Sequence, residues 1–125
     1  MPKNVAIPFF KAGKDVTGEV ATAPVTGMRF VAVVPGGRPL APKIDPAAAG
    51  ELPFGVAGHD MTVGGHVHVL REGIVPVVAT GDLTAGTRVE VGENGTAAAL
   101  DAGAPVGVCT ANAASGTPAA IALSL

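Results

Sequence analysis

The sequence predicts an all-β fold: a small β-barrel or sandwich of about nine to ten short strands, with an internal two-fold β repeat and an extended N-terminal arm. Three observations carry this. First, Pro53-Phe54-Gly55-Val56-Ala57 and Pro105-Val106-Gly107-Val108-Cys109 stand 52 residues apart. Each is followed, nine residues beyond its central glycine, by another glycine (Gly64, Gly116) and then by a strand-like run. Upstream, Val25-Thr26-Gly27-Met28-Arg29-Phe30-Val31 is echoed more loosely by Leu83-Thr84-Ala85-Gly86-Thr87-Arg88-Val89. Second, the 18 Gly and 11 Pro among 125 residues are scattered, so they punctuate many short elements. Third, no segment sustains a helical apolar period.

The elements follow in order. Val5-Ala6-Ile7-Pro8-Phe9-Phe10 is apolar, holds half of the chain's phenylalanines and is flanked by Lys3, Lys11 and Lys14. Pro8 cannot donate to a ladder, so residues 1–14 read as an edge strand or as an arm that docks on another chain. Residues 15–125 form the β-rich domain. Met28–Val34 is strand-like and ends at Pro35-Gly36-Gly37-Arg38-Pro39, a glycine-bearing turn. Asp45-Pro46-Ala47-Ala48-Ala49-Gly50 carries the punctuation of a single helical turn. Gly64–Arg71 and Ile74–Thr80 read as a strand pair across Glu72-Gly73. Arg88-Val89-Glu90-Val91 alternates, and Gly92-Glu93-Asn94-Gly95 supplies an Asn-Gly hairpin turn. Thr96–Leu100, Pro105–Thr110 and Thr117–Leu123 complete the strands.

Composition excludes several function classes. A hydrophobic share of 48% without Trp or Tyr and with four Phe means a core of Val, Ala, Leu and Ile. Net charge is −2 and the eight Lys and Arg form no stripe, so no nucleic-acid partner is expected. No apolar stretch reaches the roughly 18 residues of a membrane span. Met1-Pro2-Lys3-Asn4 does not begin a signal peptide, so synthesis in a cytoplasm is expected. Cys109, the single cysteine, sits in an apolar run and reads as a small buried hydrophobe.

Candidate chemistry is sparse. His66 and His68 share one face of a strand and could share a metal, with His59, Asp60 or Glu72 as further ligands. Against that, Val67 and Val69 would face the core and leave both imidazoles to solvent or a subunit contact. The second copy has Pro118 and Ala120 at the equivalent positions, so the repeat does without them. Ala12-Gly13-Lys14-Asp15 fails as a phosphate loop, because Pro8 stands where a glycine is needed and Asp15 where Ser or Thr is needed. Ser115 and Ser124 lie in no nucleophile elbow, and Glu90 and Glu93 straddle a hairpin turn, the usual place of solvated charge. No catalytic residue, cofactor or metal is called for.

Taken in order, Pro24–Val31, Pro53–Ala57, Gly65–Leu70, Gly73-Ile74-Val75-Pro76-Val77, Leu83–Val89 and Pro105–Val108 with Gly116 resemble the capsid decoration proteins of tailed bacteriophages, functionally akin to the head decoration protein of phage lambda. The likeness covers most of residues 15–125. It implies a non-enzymatic cement protein on the outer surface of the virion, a homotrimer whose partner is the major capsid protein. It also implies a capsid-contacting N-terminal region, in which Val5, Ile7, Phe9 and Phe10 would be the apolar anchors. The rival readings are another phage structural part (a head fibre base or tail accessory protein) and a metal-dependent β-barrel enzyme using His66, His68 and His59.

Overall fold

The computed structural model describes residues 15–39 and 41–125. Among the described residues ten strands succeed one another: β1 Asp15–Val20, β2 Phe30–Arg38, β3 Ala41–Pro46, β4 Gly55–Ala57, β5 His66–Leu70, β6 Ile74–Val78, β7 Arg88–Val91, β8 Ala97–Ala99, β9 Gly107–Cys109 and β10 Pro118–Leu123. The all-β prediction and the strand number hold. β1-β3-β2-β4-β5 close into a barrel, and the other five form a sheet in the order β6-β10-β9-β7-β8.

These are two copies of one unit. β1 pairs with β5 as β6 pairs with β10, and β2 pairs with β3 and β4 as β7 pairs with β8 and β9. The connecting hydrogen bonds repeat as well. Val25 N donates to Met61 O and Leu83 N to Ala113 O; Phe54 N donates to Val31 O and Val106 N to Val89 O. The first unit closes through a parallel β1–β3 ladder, whereas the second has only the isolated parallel bridge Ala79↔Ala97.

That seam is where the units meet. Val78 N donates to Met28 O at 3.0 Å, and Arg29 Nη1 donates to Asn94 O at 3.2 Å. The chain between them thus lies against both lips of the opening. Phe30, Ala32, Ala47 and Val56 from the first unit join the core that Val75, Val77, Val89, Val106, Cys109 and Ile121 build in the second. The first barrel keeps its own smaller core of Val20, Val25, Val31, Ile44, Ala57, Val67 and Val69. Alternation along β2 explains the division, since Val31 points into the barrel and Phe30 and Ala32 point out of it.

Three local expectations are corrected. β5 and β6 do not pair with each other; residues 71–73 carry the chain from one unit to the next, and each strand finds distant partners. Pro76 fits this arrangement, because β6 is an edge strand and loses no ladder bond to the missing N–H. Asp45–Gly50 forms no helix: Asp45 and Pro46 end β3, and a turn closes with Glu51 N on Ala48 O at 3.0 Å. Six residues are too few to offset helix nucleation, and the Asp45 side chain caps another loop instead. Finally, β2 runs through Pro35–Gly37 to Arg38, with a register shift after Val34 and Gly36 at φ 106°. The Asn-Gly hairpin is as expected, with Asn94 at φ 56° and Gly95 at φ 76°.

Candidate functional site

Val5, Ile7, Phe9 and Phe10 lie outside the described residues. The histidines are described. His66 and His68 project from β5 into solvent while Val67 and Val69 are buried, as alternation requires. His66 Nε2 stands 3.8 Å from Glu19 Oε1, and Glu19 also pairs with Lys43 at 3.5 Å. The His68 ring lies 5.4 Å from that of His59, whose Nδ1 hydrogen-bonds the carbonyl of Asp60 at 2.9 Å. The Asp60 carboxylate is engaged elsewhere, accepting from Gly27 N at 2.8 Å. Among the described residues no three His, Cys, Asp or Glu side chains gather as a metal would require.

Cys109 is fully buried in the core and its thiol donates to Ala111 O. Glu90 departs from expectation, because it is only 8% exposed. Its Oε1 accepts from Asp101 N at 2.5 Å, and the side chain lies against Gly103 where a Cβ would collide with it. Glu90 thus anchors the loop after β8 beneath an open cleft of about 550 Å³ that Glu93 and Asp101 also line. The Asp45 carboxyl is shifted by burial, which raises its pKa, and more strongly by hydrogen bonds from Thr22 and Ala23, so it sits below the ordinary aspartate value. Thr22 N and Oγ1 and Ala23 N all donate to it. Both carboxylates secure loops.

The repeat allows one surface to be compared with itself. On the outer face of β1 and β5, Thr17 pairs with His68 and Glu19 with His66. On the outer face of β6 and β10 the same positions are Pro76 with Ala120 and Val78 with Pro118, continued by Ile74, Ala122 and Val108. One copy of the face is polar and charged; the other is apolar across β6, β10 and β9 and ends at the exposed Arg88, which stands opposite Val108. Sequence reading missed this face because Ile74-Val75-Pro76-Val77-Val78 is apolar at every position, which reads as a strand buried on both sides.

The described geometry therefore offers a duplicated β scaffold, loop-anchoring carboxylates and contrasting outer faces. Residues 10–125 match the family model described as phage cement protein. The chain belongs to the phage cement protein family. It is thus a structural component of a phage head, carried on the capsid of the virion and binding to it. The crystal structure of the N base of the head fiber gp8.5 of bacteriophage phi29 is similar to the chain at a TM-score of 0.74 and 25% identity, covering 88% of this chain and 92% of that one. No curated protein matches the chain. The family's structural role agrees with a site built from loop anchors and surfaces.

Proposed function

We propose that this cement protein is added to the outside of an expanded phage head, where it bridges neighbouring capsomers and holds the shell against the pressure of packaged DNA. The family match over residues 10–125 is the observation that carries the reading. The duplicated body supports it: short strands locked by repeated loop hydrogen bonds make a stiff staple, and stiffness limits the entropy lost on docking.

In this reading residues 15–125 are the body and residues 1–14 an arm that reaches the capsid lattice. Val5, Ile7, Phe9 and Phe10 are its apolar anchors, and the pattern suits addition to a capsid sheet edge. The protein acts as a homotrimer, so that three modest contacts engage together at three-fold positions. It has no catalytic role.

The test adds purified full-length chain to expanded heads and to compact procapsids, followed by sedimentation. Binding to expanded heads alone supports the proposal; equal binding to both, or to neither, overturns it. Removal of residues 1–12 abolishes addition while the circular dichroism of the body is unchanged. Retained addition by the shortened chain refutes the role of the arm.

The phi29 likeness favours a second reading, in which the body seats a fibre on the head. The protein recovered from virions then has an intact mass well above that of these 125 residues. A virion mass equal to theirs removes the fibre reading.

A further inference from the structure

We propose that the pocket lined by Arg29 at the seam between the two units receives a carboxylate side chain of the capsid protein. Pro24, Thr26, Arg29 and Pro46 of the first unit and Asn94 of the second line this pocket of about 340 Å³. Arg29 is half-buried; its Nη1 bonds Asn94 O at 3.2 Å, while its Nε is buried without an acceptor. A guanidinium keeps its charge at any physiological pH, so its partial burial without a counter-charge costs stability until an anion supplies one.

Among the described residues the chain supplies no such anion: its ion pairs are those of Glu19 with Lys43 and His66. Asp45, beside Pro46, is held by Thr22 and Ala23, and Asp60 is held by Gly27. Residues 1–14 bring lysines and no Asp or Glu. The repeat supplies an internal control. Arg29 O accepts from Ala57 N as Thr87 O accepts from Cys109 N, so Thr87 is the counterpart of Arg29 in the second unit. A threonine suffices there for the backbone bonds, and the guanidinium therefore serves something beyond them. Its tie to Asn94 O engages one donor and leaves the rest of the fork to a ligand.

The lining fixes the class of ligand. One cation beside the neutral hydroxyl of Thr26 and amide of Asn94 matches a singly charged carboxylate, which the planar fork of an arginine takes by two parallel hydrogen bonds. A nucleic-acid backbone would require a row of cations, and among the described residues no lysine or second arginine lines the pocket. Pro24 and Pro46 offer rigid apolar walls to a methylene stem, and the volume lies at the small end of ligand sites. The cement family binds the capsid, so the protein surface that brings a carboxylate here is the capsid's. The inference rests on the cement reading to that extent, and adds to it a polar contact on the body, apart from the arm.

The test has two arms. In the nitrogen-15-labelled full chain, N-acetylglutamate α-amide is expected to shift the amide resonances of Thr26, Arg29 and Asn94. The shifts saturate in the tens of millimolar, as a single charge-assisted pair allows, and the neutral N-acetylglutamine α-amide produces none. Arg29→Gln keeps a donor for Asn94 O and loses the shifts. Asn94→Asp, which brings a carboxylate of the chain's own into the pocket, loses them too, and both variants keep the thermal transition. In the second arm both add to expanded heads at least about tenfold more weakly than the wild-type chain. No saturable shift in the wild-type chain, or equal shifts from both probes, overturns the inference, while wild-type addition to heads still upholds the cement reading. Normal shifts with undiminished addition by Arg29→Gln show that the capsid protein is not the source, which also overturns it. A chain that shows the shifts yet adds to no heads fails the cement reading itself, and the capsid assignment falls with it. Should Arg29→Gln fail to fold, Asn94→Asp reports alone, because aspartate tolerates the positive φ of that turn. Normal shifts or normal addition in Asn94→Asp then overturn the inference.

Discussion

Asp60 and Asn112 perform the same task in the two copies. Asp60 Oδ1 accepts from Gly27 N at 2.8 Å, and Asn112 Oδ1 accepts from Ala85 N at 2.8 Å. The shared requirement is an acceptor oxygen, which an amide and a carboxylate both supply. Exchange of the two should therefore be tolerated: Asp60→Asn and Asn112→Asp each change stability by less than about 0.5 kcal/mol. Asp60→Ala and Asn112→Ala each lose about 1 kcal/mol, the net worth of one such hydrogen bond. Urea unfolding of the four variants checks this, and a loss in Asp60→Asn as large as in Asp60→Ala would contradict it.

Asp45 gives the fold an acid-sensitive element. Burial alone would raise its pKa, but the hydrogen bonds from Thr22 and Ala23 together outweigh burial, so in the folded chain it lies below the ordinary aspartate value. A depressed folded pKa stabilises the fold above the unfolded pKa, and that stability is lost as pH falls through the folded pKa. In Asp45→Asn the group cannot titrate. The melting temperature of the wild-type chain should therefore exceed that of the variant at pH 6, with the gap closing steadily below about pH 4. A gap that stays constant down to pH 2.5 would show that the carboxylate charge contributes nothing.

Phe30 links the cores. It leaves β2 on the outer face of the first barrel, is fully buried, and packs within the core of the second unit. Phe30→Ala should cost about 3–5 kcal/mol, the usual loss for a truncated buried Phe. Since the cavity opens at the junction, both units should unfold together at lower denaturant, in one transition seen alike by circular dichroism and by amide exchange. Two separated transitions, with the second unit unmoved, would refute the coupling.

Local signals in the sequence carried the architecture, and its failures were non-local. The Pro-x-Gly-Val elements and the glycines nine residues beyond them marked the repeat, because turns and close backbone approaches demand particular residues at fixed offsets. The choice of partner for β5 and β6 was not legible. Glu72-Gly73 suits a hairpin as well as a crossing, and only long-range ladders decide between them. Glu90 looked solvated since its burial depends on Gly103, which the loop after β8 brings against it. The apolar outer side of β6 was hidden for a related reason: an unbroken apolar strand does not reveal that one of its sides lacks a covering layer. The arm residues Val5, Ile7, Phe9 and Phe10 lie outside the described residues, and their part is the proposal argued from their apolar chemistry.

The repeated glycines are required for two different reasons, which substitution can separate. At Gly55 a Cβ would meet Leu70 O at 2.5 Å and Val69 Cγ1 at 2.6 Å, and at Gly107 it would collide with Ala122 O. Here the neighbouring strand occupies the space, and a rigid backbone atom cannot step aside. Gly64 and Gly116 meet nothing within 4 Å but hold φ of 86° and 83°, a conformation that strains any side chain. Alanine at Gly64 or Gly116 should thus cost about 1 kcal/mol, the usual penalty for leaving the left-handed region to a residue with a Cβ. Alanine at Gly55 or Gly107 should cost about 2–3 kcal/mol or more, because the strands must part. Asparagine, which tolerates positive φ, should recover part of the loss at Gly64 and Gly116 and none at Gly55 and Gly107. Thermal melts of these eight variants settle the matter; equal losses at all four positions would mean that space between strands is not what fixes the first pair.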